Sequence, residues 1–404
     1  MAAAGFAQFS PAAALGDVAE EFGELGEGET ISEQAGLPGS VLGAGLAVIR
    51  LSALLALPLA ALADRVGRRR TILTYAVVGL LVTIAAAGSP GYWWFVASFA
   101  VARPFLTATD TVGEVLAAEH TGLSDRAKAI AMAAAAYGVG AGLVAILRGL
   151  AGDGLGFRPV FGLAALPLVG VAVAGRLVTE PDRFARRAVA AEARQVLPVL
   201  RAVRGAHRRR LAVLAAIGFA SGFVSGPVGT LLFLYAENVL GASSAVTGAL
   251  VVAAGATGLA GLMVGRLLAD RVGRRPTAAV GLALMAAAGT LAYSGSMPAL
   301  AVGYLCGVLF GSAYGPAAIT LTAELFPTSI RAAVAGWLVV AGVLGATSGL
   351  LLAGMIADAA GSFTGAMLAV CLPGALAATL FALLPETRGL ELERSAPDDI
   401  PAGA

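Results

Sequence analysis

Four ionisable side chains stand inside long apolar runs of this 404-residue chain: Arg50, Arg103, Asp110 and Glu114. A charge in hydrocarbon is costly, so such residues face a cavity or one another and mark functional sites by default. Three of them share one run. At about 100° per residue, Asp110 and Glu114 fall about 20° to either side of Arg103, which gives that run a polar stripe. A guanidinium offers a fixed fork of donors suited to a carboxylate or phosphate. Two carboxyls one turn apart repel if both ionise, which suits one of them to carrying a proton. The chemistry within reach is therefore capture of a small anion by Arg103 and Arg50, with Asp110 or Glu114 as proton carrier. A second role stays open for each: neutralisation of the arginines by protein carboxylates that fix helix packing, and simple solvation for Glu114.

The elements that position these groups follow from composition. The chain is 58% hydrophobic and 13% charged, against about 25% charged in soluble domains. Its apolar segments mostly exceed the 18 residues or so needed to cross a bilayer as a helix. The 54 glycines, spread through those segments, suit close approach of helix backbones. The expectation is an all-α polytopic membrane protein with twelve transmembrane helices. Spans 1 to 6 run from Ala2 to about Glu20, about Ser40 to Ala63, Ile72 to Gly88, Tyr92 to Ala117, Ala129 to Leu150 and Val160 to Leu177. Spans 7 to 12 run from Leu211 to Glu237, Ser244 to Ala269, Thr277 to Tyr293, Ala299 to Ala323, Ala332 to Ala357 and Thr364 to Leu384.

The spans fall into two copies of one unit. LADRVGRR at Leu62–Arg69 returns at Leu268–Arg275, half a chain later. Glu119 and Arg126 are matched by Glu324 and Arg331, and Glu180 beside Pro181 by Glu386 beside Pro385, at nearly the same offset. A fixed offset shared by several landmarks is the mark of duplication. The expected organisation is a six-helix bundle over 1–178, a polar, Arg-rich linker over 179–210, a second bundle over 211–385 and a tail over 386–404. Most of the 27 basic residues lie in the even-numbered connections, the linker or the tail. By the positive-inside rule that side is the cytoplasm, with both termini there. The acidic stretch Asp17 to Glu33, which contains no base, falls on the outer side. An inner or plasma membrane location is expected, and no cleaved signal peptide.

Several classes are disfavoured. Cys306 and Cys371 lie inside spans, so no disulfide framework is indicated. His120 and His207 are isolated in cytoplasmic connections, and no metal site or cofactor is expected. Neither a nucleotide-binding motif nor a nucleophile constellation supports an enzyme, and no nucleic-acid partner is expected.

LADRVGRR and its echo, AELFPTSIR at Ala323–Arg331 and PETRGLELE at Pro385–Glu393 together resemble the major facilitator superfamily. The last two, with EPDRF at Glu180–Phe184, are similar to its sugar-porter and metabolite:proton-symporter branch. The resemblance implies two six-helix bundles, a cavity lined by spans 1, 4, 7 and 10, and a monomer that moves a small solute, with protons, by alternating access. Each of those four spans carries one proline: Pro11, Pro104, Pro227 and Pro316. It also implies a cytoplasmic gating network of Asp64, Arg65, Gly67, Arg68, Arg69, Glu119 and Arg126, mirrored by Asp270, Arg271, Gly273, Arg274, Arg275, Glu324, Arg331 and Glu386. There Asp64 and Asp270 would dock on the N-termini of spans 11 and 5, where partial positive charge and free amides favour a carboxylate. The chain departs from the family pattern at Ala60 and Arg266, where glycine is usual. Span 7 lacks the glutamine motif of sugar porters, and with one Asn and three Gln in the chain, none read as deep in a span, sugar is disfavoured. A small organic anion or metabolite is the expected substrate. Proton-linked efflux of lipophilic compounds, or a non-transporting sensor or scaffold of the same fold, are the alternatives.

Overall fold

The computed structural model describes residues 1–24, 31–121, 126–151, 156–177 and 206–389, and among these every regular element is helical. The first half contains α1 (Ala2–Ala13), α2 (Leu15–Phe22), α3 (Ile31–Ala35), α4 (Gly39–Ser52), α5 (Ala56–Val66), α6 (Arg68–Ala85), α7 (Tyr92–His120), α8 (Arg126–Ala151), α9 (Phe157–Gly162) and α10 (Ala165–Leu177). The second contains α11 (Ala206–Thr230), α12 (Leu232–Leu234), a π-helical turn (Tyr235–Val239), α13 (Ser244–Arg271), α14 (Arg274–Ala292), α15 (Met297–Leu325), α16 (Thr328–Ala360) and α17 (Phe363–Ala377). Nine described helical segments are long and apolar enough to cross a membrane. The chain has the twelve-helix architecture expected from its sequence. His207, expected in a cytoplasmic connection, lies instead in the first turn of α11, buried against the Phe326 ring.

Proline acts differently in the four spans that carry it. Span 1 breaks at Ala14, just after Pro11, and span 7 breaks at Leu231, just after Pro227. A proline withholds the bond to the carbonyl four residues earlier, so the turn it weakens precedes it, and these breaks on its far side are not explained by that loss. Pro104 and Pro316 sit inside α7 and α15, which continue unbroken for 29 residues each.

Residues divide into two compact units. One comprises Met1–Ala193 with Thr230–Val252 and Ala357–Ser362; the other comprises Arg194–Gly229, Ala253–Ile356 and Phe363–Ala404. In the first, α1 packs on α8, α6 on α7, and α4 and α5 on α7. In the second, α14 packs on α15 and α17, around a core that includes Leu282, Leu321, Phe326 and Phe381. Absent side chains permit these approaches: a Cβ on Gly140 would strike the Ala2 carbonyl, and one on Gly222 the Gly342 carbonyl. The pairing of spans 1 and 5 thus recurs in spans 7 and 11, as duplication requires.

Candidate functional site

The polar stripe of α7 meets α1 inside the first unit. Gln8, buried on α1, donates from Nε2 to Asp110 Oδ2 at 2.6 Å. Its backbone carbonyl accepts from Arg103 Nη1 at 3.5 Å. Arg50 on α4 lies within electrostatic reach of Arg103 and of Tyr137. Among the described residues, Arg103 Nε, Thr107 Oγ1 and the second oxygen of Asp110 are buried without a hydrogen-bond partner. Buried donors and acceptors are nearly always satisfied, so such a set points to a ligand or water in the site. Asp110 is engaged by Gln8 rather than by Arg103, which leaves the guanidinium without a carboxylate among the described residues. Glu114, one turn on, is exposed.

Of the four intramembrane residues read from the sequence, Arg50, Arg103 and Asp110 therefore share one neighbourhood, and Glu114 stands at its exposed edge. Gln8 escaped that reading, which placed no amide deep in a span. An uncharged side chain near the start of the chain gives no signal in composition, and only the packing of α1 against α7 reveals it.

The two copies of the repeated motif make the turns between spans 2 and 3 and between spans 8 and 9. Gly67 and Gly273 take φ values of +107° and +132°, a region that side chains avoid and glycine enters freely. A Cβ on Gly273 would also lie 2.6 Å from Glu386 Oε2. That carboxylate accepts from the backbone N–H groups of Arg274 at 3.0 Å and Arg275 at 3.1 Å, capping the positive end of α14. Arg274 reaches Asp270 at 3.6 Å and Glu324 at 3.4 Å, and Thr387 donates to Glu324 as well. Arg275 donates to the Leu384 carbonyl, and Arg331 to the Phe326 carbonyl. In the first copy, Arg69 donates to the Gly175 carbonyl at 2.6 Å and Arg68 is half-buried. The side chains of Asp64, Arg65, Glu119 and Arg126, and all of Glu180, lie outside the described residues. Asp270 and Arg271 are exposed, and Asp270 is held by Arg274 on its own turn.

The docking expected of Asp270 on span 5 is not among the contacts it makes with the described residues, but a carboxylate does dock on helix N–H groups at the opposite ends of the spans. Asp358, near the end of α16, accepts from the N–H groups of Gly39 at 2.6 Å and Ser40 at 2.8 Å, the first turn of α4. Arg148 of α8 binds Asp17 and Glu237. The sequence reading singled out neither Asp358 nor Arg148. The available signal was the base-free acidic stretch beginning at Asp17, which needs a cation.

The family model of the Major Facilitator Superfamily matches residues 1–268 and again 214–401. The chain belongs to the major facilitator superfamily. Two overlapping matches on one chain agree with the internal duplication. No curated protein matches the sequence. Solved transporters share the fold. The inward-open xylose transporter XylE from E. coli is similar with a TM-score of 0.72 at 18% identity, covering 98% of this chain and 96% of its own. A mutant of the nucleoside transporter NupG gives 0.72 at 12% identity, covering 95% and 97%. The human organic anion transporter MFSD10 gives 0.58 at 19% identity, covering 85% and 83%. At such identities the likeness is one of fold, and within that fold this transporter places its own polar cluster on α1, α4 and α7.

Proposed function

We propose that this transporter moves a small organic anion or anionic metabolite by alternating access, coupled to protons. Arg103 carries the reading: it sits in a membrane-spanning helix, near a second arginine, Arg50, with only a carbonyl at 3.5 Å and an unpartnered Nε among the described residues. Two neighbouring guanidiniums repel, and a bound carboxylate or phosphate relieves that repulsion with paired hydrogen bonds. The similar folds include a xylose, a nucleoside and an organic anion transporter by name. The arginine pair and the scarcity of amides favour the last class over the first two. Asp110, bonded to Gln8 and within electrostatic reach of the Met1 amine, Arg103 and Glu114, is the proton carrier in this reading, with Glu114 as its exchange partner at the exposed edge.

The chain works as a monomer in the inner or plasma membrane with both ends cytoplasmic, as its charge distribution supports. Ligand-dependent thermal stabilisation of the purified protein tests the substrate class. Mono- and dicarboxylates should raise Tm, with xylose and uridine inert, and Arg103→Ala should abolish the carboxylate response. Equal stabilisation of the Arg103→Ala variant would remove the anion site.

A further inference from the structure

Arg148 stands near the end of α8 with its side chain 4% exposed. Its Nη2 binds Asp17 Oδ1 at 2.7 Å and Glu237 Oε2 at 2.6 Å. Nη1 donates to the Ala13 carbonyl, at the break between α1 and α2. The Phe233 ring lies 5.9 Å from the guanidinium carbon. Asp17 comes from the first half of the sequence, and Glu237 from the second. Glu237 rides on the π-helical turn that follows the break in span 7, an irregular backbone form common at functional sites.

Other contacts also join the first and second halves of the sequence. Asn238 donates to Glu20 Oε1 at 2.6 Å, and Asp358 caps α4. A Cβ on Gly248 would lie 2.6 Å from the Ala145 carbonyl, so α13 and α8 meet backbone to backbone. Phe9 packs edge-on against Phe233 at 5.9 Å. Along α1 and α2 these contacts succeed one another outward from the polar cluster: Gln8, then Phe9, Ala13, Asp17 and Glu20. Gln8 to Asp17 is nine residues, about 13 Å at 1.5 Å per residue.

We propose that Arg148, Asp17 and Glu237 form the central bolt of an outer latch, which shuts the non-cytoplasmic entrance to the site at Arg103 and must open for solute to reach it from that side. The proposal rests on the alternating-access reading, because only a molecule that opens on both sides needs such a bolt. One buried cation satisfies two carboxylates that belong to different halves of the sequence. Removing it leaves both carboxylates partly buried without their shared cation, which is costly. When the latch opens, the same groups reach water at the outer surface. Both arrangements are therefore satisfied and the intermediate ones are not, as a two-position element requires. Asn238 and Asp358 are lesser fastenings on the same side.

Reporter labelling tests this without any solute. Ser10, buried on α1, lies inward of the bolt. In a background with Cys306→Ala and Cys371→Ala, Ser10→Cys is exposed in intact cells to a membrane-impermeant maleimide. With the bolt intact, labelling should be slow. Arg148→Ala should speed it about tenfold or more, as loss of a buried ion pair shifts the closed–open balance. The isosteric double variant Asp17→Asn, Glu237→Gln should do the same and decides the matter if Arg148→Ala does not reach the membrane. Arg158→Ala, which removes a half-exposed outer pair with Glu21, should leave the rate unchanged. Unchanged labelling in the folded bolt variants overturns the latch, as does an equal rise in Arg158→Ala. Because no substrate is involved, a failed anion assignment would leave this result standing.

Discussion

An arginine in a membrane span is stable when its donors are filled, and Arg148 and Arg103 differ in that respect. Arg148 holds two carboxylates and a carbonyl. Arg103 holds one long contact to a carbonyl. The first has its charge paired within the protein, and the second is left without a carboxylate among the described residues. Gln8 is the companion of the second, because its amide occupies the carboxylate that would otherwise turn to Arg103. Gln8→Ala should strand a buried carboxylate and lower stability by about 1–3 kcal/mol, read as a lower Tm, while also weakening proton coupling. Asp110→Asn should abolish acceleration of uptake by an inward proton gradient. Glu114→Gln should weaken that acceleration, since its exposed side chain is replaceable by water. Full coupling in the double variant would place the proton elsewhere. Arg103 and Asp110 were legible in the sequence because charges stand out in an apolar run. Gln8 and Arg148 were not, because their meaning depends on which elements meet: α1 with α7, and α8 with the π-helical turn of span 7.

At the scale of elements, the repeated motif is a turn whose geometry demands its glycine. Gly273→Ala would force a side chain to φ +132° and against Glu386, a cost of about 1–3 kcal/mol, measurable by thermal unfolding in detergent. Partial burial pushes the Glu386 carboxyl up, and the N–H groups of Arg388, Arg274, Arg275 and Thr387 together outweigh this and hold it below its ordinary value of 4.5. A group whose folded pKa is depressed stabilises above the unfolded value and loses that contribution as pH falls through the folded one. The Tm gap between the parent and Glu386→Gln should therefore be full at neutral pH and close below about pH 4.5. A gap that widened on acidification would reverse the assigned role. The repeated letters made this turn legible from the start, glycine and carboxylate included. They did not reveal the cap of Asp358 on α4, because the repeated motif lies at the other ends of the spans. A lone aspartate at the end of an apolar run carries no motif.

For the whole molecule, duplication is visible in the sequence motifs, in the double family match, and in the backbone contacts of spans 1 with 5 and 7 with 11. Fold class and span number follow from hydropathy and repeat spacing, since lipid leaves a chain this apolar little but helices to form. The assignment of Thr230–Val252 and Ala357–Ser362 to the first unit has no counterpart in that pattern, because periodicity does not encode which residues distant in sequence come together. The account of function rests on Arg103 as the anion contact of an alternating transporter. Its most direct measurement is uptake of radiolabelled mono- and dicarboxylates into proteoliposomes containing the parent protein or Arg103→Ala, with and without an inward proton gradient. The expected result is saturable uptake by the parent, faster with the gradient, and loss of that uptake in Arg103→Ala with the variant still folded. Equal uptake by both proteins would contradict the account.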